Sequence, residues 1–419
     1  MQVRFLKKAM MVLGASWVAT TTGAMAQEAP RQVGVKDRPR PEYDAIGIQA
    51  GSFTLLPSIN LAAVFQDNVF STTTATQDDT VMLVSPAVTL RSNWANHSLD
   101  LNASSTSRFY NDFDALNSTD YRLSANGRLD VVRQSYLSGG VAYFDGIEPF
   151  FDNPTTGLRE PIEFNQFTGY VGGTWGLART RLSTRFQTDT YDFSDGRLFN
   201  NAVVEEDDRD RNISTLNGRV DYSVSPDTSV FLSATKNWRD YDLAPPYVPV
   251  NRNSDGYEAL IGINFDVTQL LRGDFGIGYM EQSYDAPAIS SDEGVAWRAQ
   301  LEWFPTEVLT VTGKTQRAIG DSGVIGTPSF VGTSSSLTAD FELRRNVIVT
   351  AQGAVYKEEY KGLSRTDDRW SASIGATYQL NRVAGLNASY QHWDYDSSGL
   401  FPGRDYKSND FMIGVSLRR

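Results

Sequence analysis

Residues 121–131 read YRLSANGRLDV, a stretch in which apolar and polar side chains alternate. Tyr121 and Leu123 fall on one side of an extended chain, whereas Arg122 and Arg128 fall on the other. A period of two predicts a β-strand with one apolar and one polar face. The same alternation recurs in YEALIGINFDV at 257–267 and in WSASIGATYQL at 370–380.

The unit that carries this pattern repeats about nine times between Gly51 and Arg419, as two strands joined by a tight turn and followed by a long polar connection. We predict an all-β fold, a transmembrane antiparallel β-barrel of about 18 strands over 51–419. An even number of strands places both termini at the periplasmic end, with short periplasmic turns and long extracellular loops. Tight turns are predicted at Asn96-His97, Arg133-Gln134, Arg179-Thr180, Pro226-Asp227, Thr268-Gln269, Pro305-Thr306, Arg345-Asn346 and Asn381-Arg382. Long connections are predicted at 71–80, 111–120, 148–162, 194–211, 243–254, 286–292, 321–330, 361–367 and 399–405.

Two segments precede the barrel. Residues 1–26 are predicted to be a signal peptide, because Lys7 and Lys8 precede an apolar run and Ala24-Met25-Ala26 supplies the small residues that a signal peptidase needs. Residues 27–50 contain prolines among charges, which predicts a flexible periplasmic lead-in rather than a packed domain. No apolar run of about 18 residues follows, so a membrane-spanning helix is excluded.

Composition agrees with an exported barrel. The mean hydropathy of −0.35 resembles that of a water-soluble protein, but a barrel strand shows lipid only every second residue, so an average hides the membrane surface. The chain has no cysteine, which excludes a disulfide scaffold. A formal net charge of −12 disfavours nucleic acid as a partner.

Two other all-β architectures are alternatives. One is a secreted or periplasmic all-β protein, and the other is a propeller of four-stranded blades, in which the repeat is also near 40 residues. A propeller blade is covered on both faces, so its inner strands should not carry a charged face, as 121–131 and 257–267 do. Aromatic residues favour the ends of the apolar faces, which predicts two aromatic girdles at the membrane interfaces. The alternative reason for these aromatic residues is their general preference for β-strands. The girdle residues are Tyr121, Tyr143, Trp175, Tyr222, Tyr257, Tyr279, Trp303, Trp370 and Tyr390.

The polar face of each strand is predicted to line the lumen. Charges of both signs on that face can screen a pore and orient a polar solute, and opposed charges on neighbouring strands can equally hold the wall in shape. Both interpretations remain open for each pair. The predicted pore-lining residues are Arg122, Arg128, Asp130, Arg185, Asp189, Arg219, Asp221, Glu258, Arg272, Asp274, Arg298, Glu302, Asp340 and Glu342.

The sequence offers little for catalysis or for cofactors. His97 is predicted to lie in a periplasmic turn, and His392 lies near the outer rim beside Asp394, where an Asp-His dyad is chemically conceivable. Asp208 and Asp210 alternate as at the start of a calcium loop, but the later Gly and the closing Glu are absent, which favours a solvated charged loop. We expect no enzyme activity, no cofactor and no metal site.

The start of the barrel carries a series of short motifs: RPRPEYDAIGI at 38–48, GSF at 51–53 with Pro57, QDNVF at 66–70, the acidic pair Asp78-Asp79, Ser85-Pro86 and SNWANHS at 92–98. In their order and spacing these motifs resemble the Putative beta-barrel porin 2 family. The resemblance implies an outer-membrane barrel, which in many members of the family is found with exopolysaccharide or capsule assembly systems. It implies no catalytic or ligand-binding residue.

Three functions follow as expectations. The first is a passive outer-membrane channel for polysaccharide export in a Gram-negative bacterium, with the polymer and periplasmic export components as partners and lipopolysaccharide around the barrel. The second is a diffusion porin for small polar solutes. The third is a surface barrel whose loops bind a partner or the polymer. Inward folding of 194–211 or 148–162 would narrow the pore.

Overall fold

The structure is a computed structural model that describes residues 33–150, 157–245, 247–248, 250–324 and 327–419; the predicted signal peptide at 1–26 lies outside them. The strands are β1 Ile48–Ala50, β2 Phe53–Gln66, β3 Asp79–Ser92, β4 Ser98–Tyr110, β5 Ser118–Val132, β6 Ser135–Glu148, β7 Ile162–Leu177, β8 Thr180–Phe193, β9 Gly196–Arg197, β10 Val203–Val204, β11 Arg211–Ser225, β12 Thr228–Tyr241, β13 Ser254–Val267, β14 Leu271–Tyr284, β15 Asp292–Thr306, β16 Leu309–Asp321, β17 Ser329–Arg344, β18 Val347–Tyr360, β19 Arg365–Gln379, β20 Ala384–Gly399 and β21 Tyr406–Arg418. Two 3-10 turns lie at Asp114–Leu116 and Asp207–Arg209.

Within the described part of the chain, β2–β8 and β11–β21 form one closed antiparallel barrel of 18 strands. Each strand pairs with the next in sequence, β8 pairs with β11, and β21 returns to β2 from Ser58↔Arg418 to Gln66↔Asp410. The barrel class predicted from the sequence is confirmed. Closure leaves no strand of the barrel with an unpaired edge. No helix among the described residues is long and apolar enough to span a membrane.

Short and long connections alternate, so the barrel has a short-turn end and a long-loop end, which in outer-membrane barrels face the periplasm and the cell exterior. Two predicted turns are displaced. The turn expected at Arg179-Thr180 lies at Ala178-Arg179, because Thr180 already pairs with Leu177. The turn expected at Pro305-Thr306 lies at Glu307-Val308, because Pro305 occupies a register shift within β15. The long connections lie where predicted, with ends moved by a few residues.

The outer face of the wall carries a broad apolar band. Every aromatic residue predicted for the girdles lies on this face, with exposed fractions between 37% at Tyr143 and 53% at Tyr121. Leu123, Ile261 and Ile374 also point outward and are more than half exposed. In a membrane protein these exposed side chains face lipid. An apolar surface of this extent would be unfavourable in water, and here lipid covers it.

Replacing Ile374 with arginine tests this assignment of faces. Ile374→Arg should lower the free energy of unfolding by about 2 to 4 kcal/mol near the bilayer midplane, because the charge would enter hydrocarbon. Ser373 is the matched control, since it is the next residue along β19 and faces the lumen. Urea titrations of both variants in lipid vesicles measure the difference. Equal losses of stability at Ile374 and Ser373 would show that the assignment of inner and outer faces is wrong.

Gly262, which alternation suggests as a second tolerant inner-face control, is close-packed. A Cβ there would lie 2.1 Å from the Phe275 carbonyl oxygen and 2.3 Å from the Phe231 ring. An arginine at Gly262 would therefore destabilise by crowding rather than by contact with lipid.

Candidate functional site: the lumen of the barrel

All the predicted pore-lining residues lie on the inner face of the wall, opposite the exposed apolar residues of the same strands. In β5, for example, Arg122, Arg128 and Asp130 alternate with outward Leu123 and Leu129. Their position follows from the alternation, since neighbouring residues of a strand point to opposite faces. Their role in transport stays a prediction.

Several of these side chains are brought together as ion pairs, either along one strand or across neighbouring strands. The Arg219 guanidinium lies 2.8 Å from Asp221 on its own strand and 2.7 Å from Asp274 on β14. Arg128 lies 2.7 Å from Asp130, and Arg272 pairs with Glu302 on β15. Pairs of this kind stiffen the wall, in agreement with the structural interpretation.

Other members of the set form no ion pair with a described residue. Asp189 accepts hydrogen bonds from neutral neighbours instead, from Gln187 at 2.7 Å and Thr168 at 2.6 Å. Arg122 makes no ion pair with any described residue and stacks on Phe144, with 4.6 Å between the guanidinium carbon and the ring centroid. These groups are held in place by hydrogen bonds and by stacking.

Stacking on aromatic rings recurs along the inner wall. The guanidinium carbon lies 3.7 Å from the ring centroid in Arg185 on Tyr170 and in Arg219 on Phe231. Each pair joins adjacent strands, and the attraction of a cation to a ring face is strongest where water is scarce. The sequence shows both residue types but not their pairing, because the pairing depends on strand register.

The middle band of the inner wall consists of the inward-facing residues that are at least five positions from either end of their strand. Over β17–β20 the band is lined mainly by small neutral side chains that can donate and accept hydrogen bonds. They are Ser334, Ser336, Thr338, Gln352, Ser371, Ser373, Ser389 and Gln391.

The long-loop end holds a hydrophobic cluster of its own. The loops 67–78, 111–117, 149–161 and 194–210 contribute buried Val69, Leu116, Phe150 and Leu158, which pack with Ile162 and Phe193 from the strand ends. Phe70 lies at its centre, with ring centroids 5.1 Å from Phe113 and 5.5 Å from Phe150. These buried side chains are removed from water, and the described parts of the loops form a compact cap at one side of the mouth.

Loop 194–210 is anchored by Arg209. This side chain is buried and forms a bidentate pair with Glu148, at 2.5 and 2.9 Å, and a further pair with Glu206 at 2.9 Å. The expectation of a solvated charged loop holds only in part, because Arg209 and Glu206 pair inside the cap whereas Glu205 and Asp207 are exposed. No group of His, Cys, Asp or Glu in the described residues could hold a metal ion.

The β16–β17 hairpin narrows the lumen at the same end. Pairing between β15 and β16 stops at Trp297↔Arg317, although β16 continues to Asp321. Asp321 instead lies 2.7 Å from Arg239 of β12, which is separated from β16 by three strands of the sheet. Ile319 and Val331 pack with the inner-face cluster of β12–β15. The hairpin tip therefore leaves the wall and lies against the inner faces of those strands.

The short-turn end is partly covered by residues 33–47, here called the N-terminal strap. Val35 is fully buried, and its N–H donates to the Thr310 hydroxyl at 3.0 Å. Arg40 is 3% exposed and lies 2.8 Å from Glu342, while Lys36 lies 2.8 Å from Asp340. Since Thr310 and Glu342 face the lumen, the strap lies inside the mouth of the barrel.

The strap continues along the rim beyond β17. Arg382, in the turn after β19, donates to the Pro41 carbonyl at 2.8 Å, and Arg418 of β21 donates to the Tyr43 carbonyl at 2.8 Å. The sequence predicts a flexible lead-in here, whereas these contacts hold the described part of it against the wall. The basic residues of the strap meet Asp340 and Glu342 of β17, which lie far away along the chain. The sequence alone therefore does not show that the strap docks.

Neither histidine forms a catalytic arrangement with its neighbours. His97 lies in its turn with a φ of 64° and accepts a hydrogen bond from the Asp130 N–H at 3.0 Å. His392 lies on the outer face, where its Nδ1 is 2.8 Å from the Asn409 side chain, while Asp394 pairs with Lys407. The Asp-His dyad considered at the outer rim is not formed.

Comparison with known proteins gives a family and a general fold. The model of the family described as Putative beta-barrel porin 2 matches residues 40–419. No curated protein matches the sequence.

Three solved structures illustrate the similarity in fold. The siderophore receptor PirA from Pseudomonas aeruginosa is 8% identical with a TM-score of 0.45, and the match covers 92% of this chain and 81% of that chain. OpdL from the same species is 13% identical with a TM-score of 0.44, covering 88% and 99%. OccAB3 from Acinetobacter baumannii is 9% identical with a TM-score of 0.45, covering 88% and 100%. At these values the three structures carry no information about what this chain transports.

A disulfide tests the position of the strap. A Cβ at Gly34 would lie 3.7 Å from Cγ2 and 3.9 Å from Oγ1 of Thr310, which is within the usual reach of a disulfide. The variant with Gly34→Cys and Thr310→Cys should therefore crosslink on mild oxidation, and the absence of natural cysteines leaves no competing thiol. Mass spectrometry of a tryptic digest measures the linked peptide. The matched control pairs Gly34→Cys with Thr312→Cys, two residues further into the lumen. Equal yields from both pairs would mean that the strap is not docked.

The packing of loop 194–210 should depend on pH. The pKa of Asp210 is raised to about 6, chiefly by burial. The Phe193 N–H, 2.7 Å from the carboxylate, acts to lower this pKa, whereas the nearby carboxylates of Asp192, Asp207 and Asp242 act to raise it. The packed loop thus binds a proton more readily than an open loop, whose Asp has a pKa of about 3.9. Loop packing should therefore strengthen as the pH falls from 7 through 6 towards 4.

A spin label at Val203→Cys, an exposed site in the loop, measures this effect as a loss of mobility at low pH. Asp210→Asn should flatten the curve without abolishing it, because burial also raises the pKa of Glu206. A label that becomes more mobile as the pH falls would contradict the assignment.

Proposed function

The chain belongs to the Putative beta-barrel porin 2 family, and from that membership we propose that it is a passive conduit for a polysaccharide in an exopolysaccharide or capsule export system. The barrel is an outer-membrane porin or channel by family and fold. The polysaccharide is the proposed cargo, periplasmic export components are the proposed partners, and lipopolysaccharide surrounds the wall.

The observation that carries the proposal is the neutral hydroxyl and amide lining of β17–β20 in the middle band. A saccharide is covered with hydroxyl groups that are hydrogen-bonded to water. A wall of Ser, Thr and Gln side chains can replace those bonds one for one, so a sugar loses little solvation and is held only weakly. Conduction needs this balance, in which binding is favourable enough for entry and weak enough for exit.

Transport through such a wall is passive. The sequence contains no phosphate-binding loop, so the driving force must come from a synthesis or export apparatus at the inner membrane. The barrel then contributes a hydrated path across the outer membrane and no chemistry of its own.

A second function is favoured by the long-loop end. The capping loops and the inward-leaning β16–β17 hairpin leave a smaller opening than the wall itself would. A narrowed mouth suits a diffusion porin for small polar solutes, which needs to exclude larger ones. A polymer would require the cap, held by Arg209 on Glu148, to open during export.

Deletion of the gene tests the export function. The deletion strain should lose surface polysaccharide and retain its lipid-linked precursors, because the proposed step follows synthesis. Complementation with the wild-type chain should restore the polymer. If the deletion strain keeps normal surface polymer and loses uptake of a small solute, the diffusion porin replaces the conduit. Glycosyltransferase and polymerase genes beside the gene would favour export, and a catabolic operon would favour uptake.

A further inference from the structure

The tips of β16 and β17 turn away from the outer face to which their residues belong. By alternation along β17, Val331 has the same parity as Leu337, which is 58% exposed on the outer face. Val331 is nevertheless 2% exposed and, with its strand partner Ile319, packs on inner-face residues of neighbouring strands. These residues are Phe231, Leu260, Met280 and Ala296. The two strand tips, 318–321 and 329–332, are therefore folded into the lumen, and they are called the flap below.

The inward fold leaves one edge of β15 without a strand partner in the described part of the chain. Residues 292–296 pair with β14 on one side, and their other edge faces the place that the flap has left. The bend falls where Ala318 lies opposite Gly332, two small residues that let the strands change direction. A free strand edge of this kind is a site where another strand can pair.

The flap fits this edge without any change of register. Continuing the ladder beyond Trp297↔Arg317 would place Ile319 opposite Val295 on the outer face. Val295 is 51% exposed and already faces lipid, so lipid would cover the apolar Ile319 beside it as well. In this second arrangement the flap is part of the wall, and the long-loop mouth is wider because the flap no longer lies inside it.

The inward arrangement is held by charge. Asp321 at the end of the flap lies 2.7 Å from Arg239 and 3.5 Å from Arg211, two inward-facing residues of β12 and β11. Arg239 also donates to the Ile319 carbonyl at 3.1 Å, so it satisfies a backbone group of the flap. In the wall arrangement the same register would place Asp321 opposite Glu293, and like charges directly opposite each other destabilise a strand pair. The charge of Asp321 therefore favours the inward arrangement in two ways.

The inward flap also meets the cap. Arg252 donates to the carbonyl of Ser322, the residue after the β16 tip, and lies 3.3 Å from Asp208 of loop 194–210. One side chain thus joins the end of the flap to a loop of the cap. The flap therefore extends the cover that the cap forms over the long-loop mouth.

We propose that the flap is a gate of the long-loop mouth. It closes the mouth when it lies on the inner faces of β12–β15, and it opens the mouth when it pairs with the free edge of β15. The charge of Asp321 sets the balance between the two arrangements. The gate does not depend on which solute or polymer passes, so it is independent of the proposed export function.

A disulfide measures whether the flap reaches the wall. The variant with Val295→Cys and Ile319→Cys has its two thiols on opposite faces of the wall in the closed arrangement, and directly opposite each other on one face in the open arrangement. The natural chain has no cysteine, so mild oxidation in lipid vesicles should link these two positions alone. The matched control, Ala299→Cys with Thr315→Cys, is an existing pair of the same kind on the outer face, because pair types alternate along a ladder. The control should crosslink rapidly and the flap pair slowly.

Two further variants test the role of charge. Asp321→Asn removes the ion pair with Arg239, whereas Glu293→Gln removes only the repulsion in the open arrangement. Glu293 is exposed on the outer face, away from the closed flap, and a glutamine there can still accept the hydrogen bond from the Tyr279 hydroxyl. Either substitution should raise the rate of crosslinking of the flap pair about two-fold or more. A response to Asp321→Asn alone would show that the flap loosens without joining β15, and it would overturn the proposal.

Conductance tests the gate itself. In planar bilayers the crosslinked flap variant should have a single-channel conductance about two-fold or more above that of the same channel after reduction, because its mouth is wider. The control pair should show no change on reduction. Asp321→Asn, without any cysteine, should open more often than the wild-type chain. Heat-modifiable migration on gels verifies that each barrel has formed.

The outcomes are distinct from those of the export test. Absence of the flap crosslink where the control pair reacts fully, or a crosslink that leaves the conductance unchanged, overturns the gate whatever the deletion strain shows. A working gate with normal surface polymer in the deletion strain keeps the gate, and the export function alone fails.

Discussion

The pairing of backbone N–H and C=O groups inside hydrocarbon is the constraint on which the rest of this molecule depends. Lipid offers no hydrogen-bond partner, so each strand must find both neighbours within the chain. The return of β21 to β2 meets that requirement by closing the sheet. Closure fixes which face of each strand meets lipid, and the alternation of side chains then follows along the whole wall.

A closed wall leaves its inner face free to carry polar groups, and here their arrangement is not uniform. Ion pairs such as Arg219 with Asp274 and stacks such as Arg185 on Tyr170 join neighbouring strands and stiffen the barrel. Over β17–β20 the middle of the wall is lined mainly by neutral hydroxyl and amide side chains instead. One wall thus combines charged pairs that join strands with a neutral stretch that can hydrogen-bond a solute.

Both mouths are narrowed by the chain itself, in different ways. At the long-loop end, apolar loop residues form a cap that Arg209 fastens to Glu148, and the β16–β17 hairpin leans on Arg239 through Asp321. At the short-turn end, the strap binds inward carboxylates through Arg40 and Lys36. The cap contains groups whose pKa is raised, such as Asp210, so its packing should respond to pH.

The alternation in stretches such as 121–131 determined the barrel, its turns and the inward position of all the pore-lining candidates, because a period of two is a local property. It failed where contacts join distant parts of the chain. The docking of the strap on Glu342 and the burial of Arg209 depend on residues that meet only after closure. Likewise, only strand register shows that Arg219 meets Asp274 and that Arg185 meets Tyr170, because such pairing is a property of the assembled wall and not of any one strand.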